Sequence, residues 1–192
     1  MTSTTVVRRP LRADAQRNYN ALLAAGKAVF ARSGVDAPLE EVGREAGVGR
    51  GTLYRNFPTR EHLFVAILQD QVDLLDATAR QLLDAPQVWP ALCEWLRLYD
   101  QSATEYRGLS TRVGDGLAAD GSPVATACAP MKASFTRLFD RARTEGRVRS
   151  DITALQVLTL VSALPKHPHT GKTTEPYLDI VLRGLTPSTP TT

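Results

Sequence analysis

Between Arg50 and Arg60 the chain carries several side chains that can contact a nucleic acid. An arginine can make a bidentate contact to guanine, and the methyl and hydroxyl groups of a threonine can contact thymine or a phosphate. Arg50, Thr52 and Tyr54 fall at the start of a short helical segment, the end of a recognition helix that usually meets base edges. Any single arginine is often only a solvated charge. The prediction of DNA contact therefore depends on the cluster as a whole.

The elements that would position this cluster are two short helices joined by a glycine turn. Leu39, Val42 and Ala46 recur at i, i+3 and i+7, which is one apolar stripe at helical period. Gly47 can adopt the left-handed conformation that ends a helix. The following segment, residues 48–57, keeps apolar residues that we assign to the core: Val48, Leu53 and Phe57. This arrangement is typical of a helix-turn-helix, whose second helix enters the major groove of DNA.

Over residues 14–65 the sequence resembles the TetR family of one-component transcriptional regulators. The shared pattern is L-E-E-V, then A-G-V, then G-T-L-Y-R-x-F, and then a polar cap that opens a long helix. The resemblance is specific in this region because many residue types and spacings match together. Over the remaining two thirds of the chain it depends only on length and on the helical pattern.

The resemblance implies particular DNA contacts. In relatives, the side chain at the position of Tyr54 packs on the DNA backbone or bonds to it. The side chains at the positions of Asn56 and Arg60 contact phosphates. Relatives often have histidine in place of Asn56 and lysine in place of Arg60. They often have serine in place of Gly49, so we expect one hydroxyl contact near the start of the recognition helix to be absent here. The full set of predicted DNA-contacting residues is Arg44, Arg50, Gly51, Thr52, Tyr54, Arg55, Asn56 and Arg60.

The distribution of charge agrees with DNA binding by the N-terminal part of the chain. Residues 1–60 contain ten Lys and Arg against five Asp and Glu, whereas the rest of the chain contains 13 against 15. A basic unit joined to a slightly acidic body is typical of a polyanion-binding module fused to a second function. Further arginines near the N-terminus are candidates for nonspecific phosphate binding: Arg8, Arg9, Arg12 and Arg17.

Helical pattern runs along most of the chain, with no convincing strand and no internal repeat, so we predict an all-α fold. The predicted helices beyond the helix-turn-helix cover residues 13–32, 60–83, 88–106, 125–145, 153–164 and 177–185. Gly34 and Gly146 are expected stops, Thr153 with Gln156 forms a capping-box pair, and Pro130 predicts a break or kink.

The predicted organisation is an N-terminal three-helix helix-turn-helix domain joined by a long helix to a C-terminal helical domain. We expect a flexible basic arm over residues 1–12, the DNA-binding domain over 13–60, a ligand-binding and dimerisation domain over 61–185, and a disordered tail over 186–192.

The resemblance also implies a homodimer and a small-molecule effector. TetR-like proteins dimerise through their last two long helices, and the corresponding interface candidates are Leu155, Leu158, Val161, Tyr177, Ile180 and Val181. The alternative is that these helices only close the core of the monomer. In this family the middle helices enclose a ligand pocket, for which the candidate wall residues are Trp95, Tyr99, Phe135 and Phe139. Such aromatic residues are more often plain core.

Other chemistry has weak support. The G-x-G-x-x-A pattern of residues 114–119 follows no strand, so it does not predict a dinucleotide site. His167 and His169 have no evident third metal ligand, and no hydrolase elbow, zinc-protease motif or phosphate loop occurs. Cys93 and Cys128 are expected to be buried apolar thiols of a reduced cytoplasmic protein. We expect no cofactor and no enzymatic activity, no membrane span, and no signal peptide after Arg8.

These observations predict a cytoplasmic homodimeric repressor that binds a palindromic operator in double-stranded DNA and is released by a small apolar or amphipathic effector. One alternative is a DNA-binding regulator that is controlled by a partner and has no small-molecule effector. Another is a small all-α enzyme or metabolite-binding protein that binds no DNA.

Overall fold

The computed structural model describes residues 11–102, 121–165 and 175–187 of the 192-residue chain. Within these ranges it contains eight α-helices and no strand, so the predicted all-α fold is confirmed. The helices are α1 (Leu11–Ser33), α2 (Leu39–Glu45), α3 (Arg50–Asn56), α4 (Arg60–Leu82), α5 (Val88–Ser102), α6 (Pro123–Thr144), α7 (Ala154–Ser162) and α8 (Glu175–Leu185). The chain divides into two compact units, Met1–Ile67 and Leu68–Thr192, and α4 belongs partly to each.

In the first unit, α1 packs against α2 and α3. Val29 and Phe30 of α1 are buried, as is Leu63 at the start of α4. Gly26 permits a close approach between α1 and α4, because a Cβ atom added there would lie 2.9 Å from Cδ1 of Ile67 and 3.2 Å from Cδ2 of Leu63. The absence of a side chain at position 26 thus allows the two helices to close the core of this unit.

Glycines in the left-handed region end α1 and α2. Gly34 has a φ of 83° and Gly47 a φ of 64°, so both predicted helix stops are confirmed. Because α3 begins at Arg50, Val48 lies in the turn before it and is half-buried rather than buried. Leu53 and Phe57 are buried as expected, which fixes the inner face of α3.

The second unit has an aromatic core. α5 contacts α6, α7 and α8, and α6 contacts α7. Trp95, Phe135 and Phe139 have no exposed surface in this core. Thr153 and Gln156 form the predicted capping box at the start of α7, with the Thr153 N–H donating to Oε1 of Gln156 at 2.8 Å.

Of the predicted break or kink at Pro130, the break is wrong, because α6 continues through this residue without interruption. Pro130 lacks the N–H that would donate to the carbonyl oxygen of Thr126. Both residues are exposed, so water can satisfy that carbonyl group. The opposite face of α6 carries buried Cys128 and Met131, and their packing favours a continuous helix.

Several predictions fall on parts of the chain outside the described residues: the N-terminal arm up to residue 10, residues 103–120, the histidine pair and the end of the tail. Cys93 and Cys128 are free and buried, as expected. No helix within the described ranges is both long and apolar enough to cross a membrane. The same part of the chain contains no cluster of His, Cys, Asp and Glu suited to a metal ion.

Candidate nucleic-acid interface

The turn between α2 and α3 holds the two helices at close range. The Val48 N–H donates to the carbonyl oxygen of Gly43 at 2.9 Å, and the Gly47 N–H donates to that of Arg44 at 3.2 Å. A Cβ atom added to Gly43 would lie 3.2 Å from Cδ2 of Leu53, so α2 and α3 approach each other closely at this point. These contacts fix α3 from its inner side.

The outer side of α3 is accessible over its whole length. The Arg50 side chain is 78% exposed, and Gly51 and Arg55 are also exposed. Thr52 and Tyr54 are half-buried. A Cβ atom added to Gly51 would meet nothing within 4 Å, so the backbone of α3 is open at this position. A rigid helix with an open backbone and polar side chains is suited to insertion into a groove of DNA.

Glu40 of α2 joins two of the predicted DNA-contacting residues. The Tyr54 hydroxyl donates to its Oε1 at 2.6 Å, and Nη2 of Arg50 lies 3.7 Å from the same oxygen. The Arg50 guanidinium also lies over the Tyr54 ring, 5.6 Å from its centroid. We call these three side chains the Glu40 triad. Sequence reasoning missed Glu40, because only the folded turn brings it beside a tyrosine that is 14 residues away.

Hydrogen bonding shifts both titrating members of the Glu40 triad. The hydrogen bond from Tyr54, followed by a backbone hydrogen bond, lowers the pKa of Glu40. The same bond raises the pKa of the Tyr54 phenol, because a neighbouring carboxylate stabilises the protonated hydroxyl. Glu40 is therefore ionised and Tyr54 protonated at neutral pH.

The remaining predicted contacts are more widely spread. Asn56 uses its side-chain amide within α3, where Nδ2 donates to the carbonyl oxygen of Thr52 at 2.8 Å. Nη1 of Arg60 lies 3.5 Å from Oδ1 of Asp36, and its Nε is buried without a partner among the described residues. Arg44 is exposed in the last turn of α2. Arg50, Thr52 and Tyr54 thus form the centre of the candidate surface.

In the second unit, the four predicted ligand-wall residues form one buried group. The ring centroids of Trp95 and Phe135 are 4.3 Å apart, those of Trp95 and Tyr99 are 5.4 Å apart, and Phe139 lies 6.0 Å from Phe135. An open depression of about 610 Å³ lies elsewhere, along the outer side of α6 between Gly121 and Arg137, and none of the four lines it. The structure brings the four residues together as packed core.

Tyr99 has an unusual environment for a polar side chain. It is 3% exposed, and its hydroxyl has no hydrogen-bond partner among the described residues. Burial raises the pKa of its phenol, with a smaller contribution from Cys128, and the nearby Ser162 hydroxyl opposes the rise. Ser162 itself donates to the carbonyl oxygen of Thr159 at 2.7 Å.

The predicted dimer residues divide into two groups. Leu158 and Val161 are fully buried within the single chain, where α7 contacts α5 and α6. Their place in a dimer interface stays a prediction. Leu155 and Val181 are half-buried. Apolar residues exposed on α7 and α8 are Leu160, Tyr177 and Ile180. Of the predicted residues, Ile180 and Tyr177 are thus the most accessible to a partner.

The fold and the exposed face of α3 define a class of protein: a helix-turn-helix DNA-binding unit joined to a helical second unit. Two family profiles match the chain. Residues 22–67 match "Bacterial regulatory proteins, tetR family", and residues 89–187 match "Transcriptional regulator SbtR-like, C-terminal domain". The chain belongs to the TetR family of bacterial transcriptional regulators, as the sequence predicted. The members of this family are regulators rather than enzymes.

Solved structures support this assignment. The TetR transcriptional regulator SCO0520 from Streptomyces coelicolor is 35% identical, with 89% of this chain and 99% of that chain covered and a TM-score of 0.55. A gamma-butyrolactone receptor described as an ArpA-like protein is 25% identical over 91% of this chain and 90% of its own, with a TM-score of 0.53.

A more distant structure shares the fold alone. The repressor FadR from Thermus thermophilus, solved with lauroyl-CoA, is 17% identical over 91% of this chain and 98% of its own, with a TM-score of 0.58. A comparison with curated proteins found no match.

Proposed function

We propose that this regulator is a homodimeric repressor that reads a palindromic operator with α3 and releases it when a small molecule binds the second unit. The observation that carries the proposal is the outer side of α3. It presents Arg50, Thr52 and Tyr54 on a helix whose inner side is fixed by buried Leu53 and Phe57. Base edges can be read by such side chains only if the helix that carries them is held rigidly.

The proposed dimer is supported by exposed apolar surface. Ile180 of α8 is 69% exposed, Leu160 of α7 is 51% exposed, and Tyr177 is 42% exposed. Burying large apolar side chains between two copies removes this surface from water, which is favourable. A two-fold dimer would also present two copies of α3 to the two half-sites of a palindrome.

The proposed effector response is supported by hydrogen bonds from α5 and α6 to the C-terminal part of α4 and to the residues directly after it. Nε1 of Trp95 donates to the carbonyl oxygen of Leu75 at 2.9 Å, and the Ser134 hydroxyl donates to Oδ1 of Asp76 at 2.6 Å. Nη1 of Arg141 donates to the carbonyl oxygens of Leu83 and Ala85, each at 2.8 Å.

Because α4 continues from the first unit, a ligand that displaces the core can favour a different position of this helix. Such a ligand shifts the population of the protein away from the DNA-binding state. The buried Tyr99 hydroxyl offers that ligand a hydrogen-bond donor.

The relatives support a small-molecule effector without naming it. One is described as a gamma-butyrolactone receptor, and another was solved with lauroyl-CoA. These ligands differ greatly in size, so the class of effector has to be found by experiment. We expect an apolar or amphipathic molecule, because the predicted wall residues are aromatic.

The experiment begins with DNA selected from a random pool by the purified protein. Fluorescence anisotropy then compares the selected duplex with a scrambled one. We expect a palindrome, tighter binding to it than to scrambled DNA, and loss of most of that preference in a variant carrying Arg50→Ala and Tyr54→Ala. Arg143→Ala on α6 is the matched control, since it removes one exposed positive charge from the second unit. Equal binding of both duplexes by the wild type would overturn the proposal.

A second candidate function is a regulator that is controlled by a partner protein instead of a small molecule. The close packing of Trp95, Tyr99 and Phe135 favours it, because stacked rings fill the core of the second unit. A ligand library that neither raises the unfolding temperature nor releases DNA would favour this alternative. A compound that does both would favour the effector mechanism.

A further inference from the structure

The DNA-free surface of α2 and α3 contains an acidic side chain at its centre. Oε1 of Glu40 accepts the Tyr54 hydroxyl at 2.6 Å and lies 3.7 Å from Nη2 of Arg50. The carboxylate thus engages two side chains that the proposed function assigns to DNA. Its own side chain is 48% exposed, so it faces the same solvent that a DNA duplex would replace.

We propose that Glu40 is a specificity-determining residue, which weakens binding to DNA in general more than binding to the operator. This inference rests on the proposed function. Two effects of Glu40 act in the same direction, one through its charge and the other through its position.

The charge of Glu40 acts on every DNA sequence alike. Binding to nonspecific DNA comes almost entirely from neutralising phosphates with positive side chains. A carboxylate beside Arg50 cancels part of that attraction and repels any phosphate that approaches Tyr54. Because the carboxylate is about half exposed, solvent screens this repulsion, so its effect on affinity is modest.

The position of Glu40 affects how well the protein distinguishes the operator from other DNA. A free arginine loses rotamer freedom when it makes a bidentate contact to a base. In the Glu40 triad, Arg50 is already confined between the carboxylate and the Tyr54 ring, whose centroid is 5.6 Å away. An operator gains from this ordering, because its bases meet a guanidinium that is held near one place. Nonspecific DNA makes no such base contact and gains nothing.

The test is Glu40→Gln, which removes the charge and keeps a side-chain oxygen that can accept from Tyr54. Glu41→Gln is the matched control. Glu41 also lies in the first turn of α2, so both variants lose the same charge at the same helix end. Glu41 pairs instead with Arg32 of α1, at 3.0 Å, and has no contact with α3 among its ion pairs.

Affinities for the selected and scrambled duplexes are measured at several salt concentrations. For scrambled DNA, we expect Glu40→Gln to raise affinity about three- to fivefold, the scale of one surface charge near a phosphate. The salt dependence should steepen by up to about one unit of slope. For the operator, the gain should be less than about twofold, because lost ordering of Arg50 offsets it. Glu41→Gln should change the ratio of the two affinities little.

Two results would be decisive against this role. If Glu40→Gln and Glu41→Gln change the two affinities equally, the effect is one of net charge, and Glu40 has no special role. If neither variant changes the ratio, the inference is wrong as well. In both cases the wild type would still prefer the operator, so the proposed function would stand. Wild-type protein without any preference would overturn both.

Discussion

The two units carry their candidate functional residues in opposite ways. On α3, Arg50 and Tyr54 project from a helix that Leu53 and Phe57 hold in place, so function and support belong to different side chains. In the second unit, residues such as Trp95 are candidate ligand contacts and also the core itself. DNA recognition by α3 can therefore change through substitution without loss of folding. Any change in ligand recognition by the aromatic core must alter stability too.

The largest expected effect concerns Trp95. Trp95→Ala should lower the free energy of unfolding by about 3–5 kcal/mol, because it leaves a cavity in a fully buried cluster and removes the donor to Leu75. Urea unfolding followed by circular dichroism measures this. Trp89→Ala, at a half-buried position, is the control and should cost less. A loss below about 1 kcal/mol for Trp95→Ala would show that the cluster does not support the unit.

A smaller effect is expected at the turn that orients α3. Gly47→Ala should destabilise the first unit by about 1–2 kcal/mol, since its φ of 64° is costly for a residue with a Cβ atom. Nothing lies within 4 Å of the added atom, so the cost is conformational rather than steric. Thermal unfolding is the measurement. An unchanged unfolding temperature would contradict the left-handed turn.

Gly51→Ala should change stability in the opposite direction to Gly47→Ala. It also separates an effect on stability from an effect on DNA binding. Gly51 lies within α3, away from the left-handed region, and an added methyl group meets no atom within 4 Å. Alanine should therefore stabilise the helix by about 0.5–1 kcal/mol. Operator affinity should fall, because the methyl group projects from the surface that we assign to DNA. If the variant is more stable and binds DNA as tightly as the wild type, Gly51 does not belong to the DNA-contacting surface.

The smallest effect is expected at Cys128, where the intact fold should prevent reaction. Burial raises the pKa of this thiol from 9.0 to about 11, so at pH 8 only about one molecule in a thousand carries the reactive thiolate. A thiol reagent should label Cys128 of a Cys93→Ser variant only after denaturation. Rapid labelling of the native variant at pH 8 would show that this core opens.

The same shift predicts how stability depends on pH. The unfolded thiol loses its proton near its ordinary value of 9.0, whereas the folded thiol keeps it until about 11. Stability from this group is therefore complete below pH 9 and falls as pH rises through 11. The buried Tyr99 phenol, whose pKa is also raised, acts in the same direction.

Local patterns in the sequence were sufficient for the first unit. A left-handed glycine and an apolar stripe each depend on residues a few positions apart, and Gly47 and Leu53 take the predicted roles. The capping box at Thr153 in the second unit is equally local and was also predicted. The family motif lies in the same short-range part of the sequence. This explains why the position of α3 could be predicted before its contacts were known.

What the sequence could not predict depends on contacts between distant residues. Glu40 meets Tyr54 only across the folded turn, and no spacing rule brings a carboxylate to that hydroxyl. No break occurs at Pro130, because the carbonyl group of Thr126 that lacks its donor is exposed to water, which depends on tertiary structure. Leu158 and Val161 lie on an apolar helical stripe, and they are buried in the core of the single chain. Such a stripe predicts a dimer interface and a monomer core equally well, because both bury apolar residues at helical spacing.

Sequence recognition by α3 is tested most directly by measuring the affinity of an Arg50→Ala variant for a set of operators that differ by single base pairs. The wild type should discriminate most strongly at one guanine in each half-site. Arg50→Ala should abolish discrimination there, at a cost of about 1–3 kcal/mol, and should keep it elsewhere. A uniform loss of affinity on all operators would mean that Arg50 contacts only phosphates. It would contradict the claim that the outer side of α3 reads sequence.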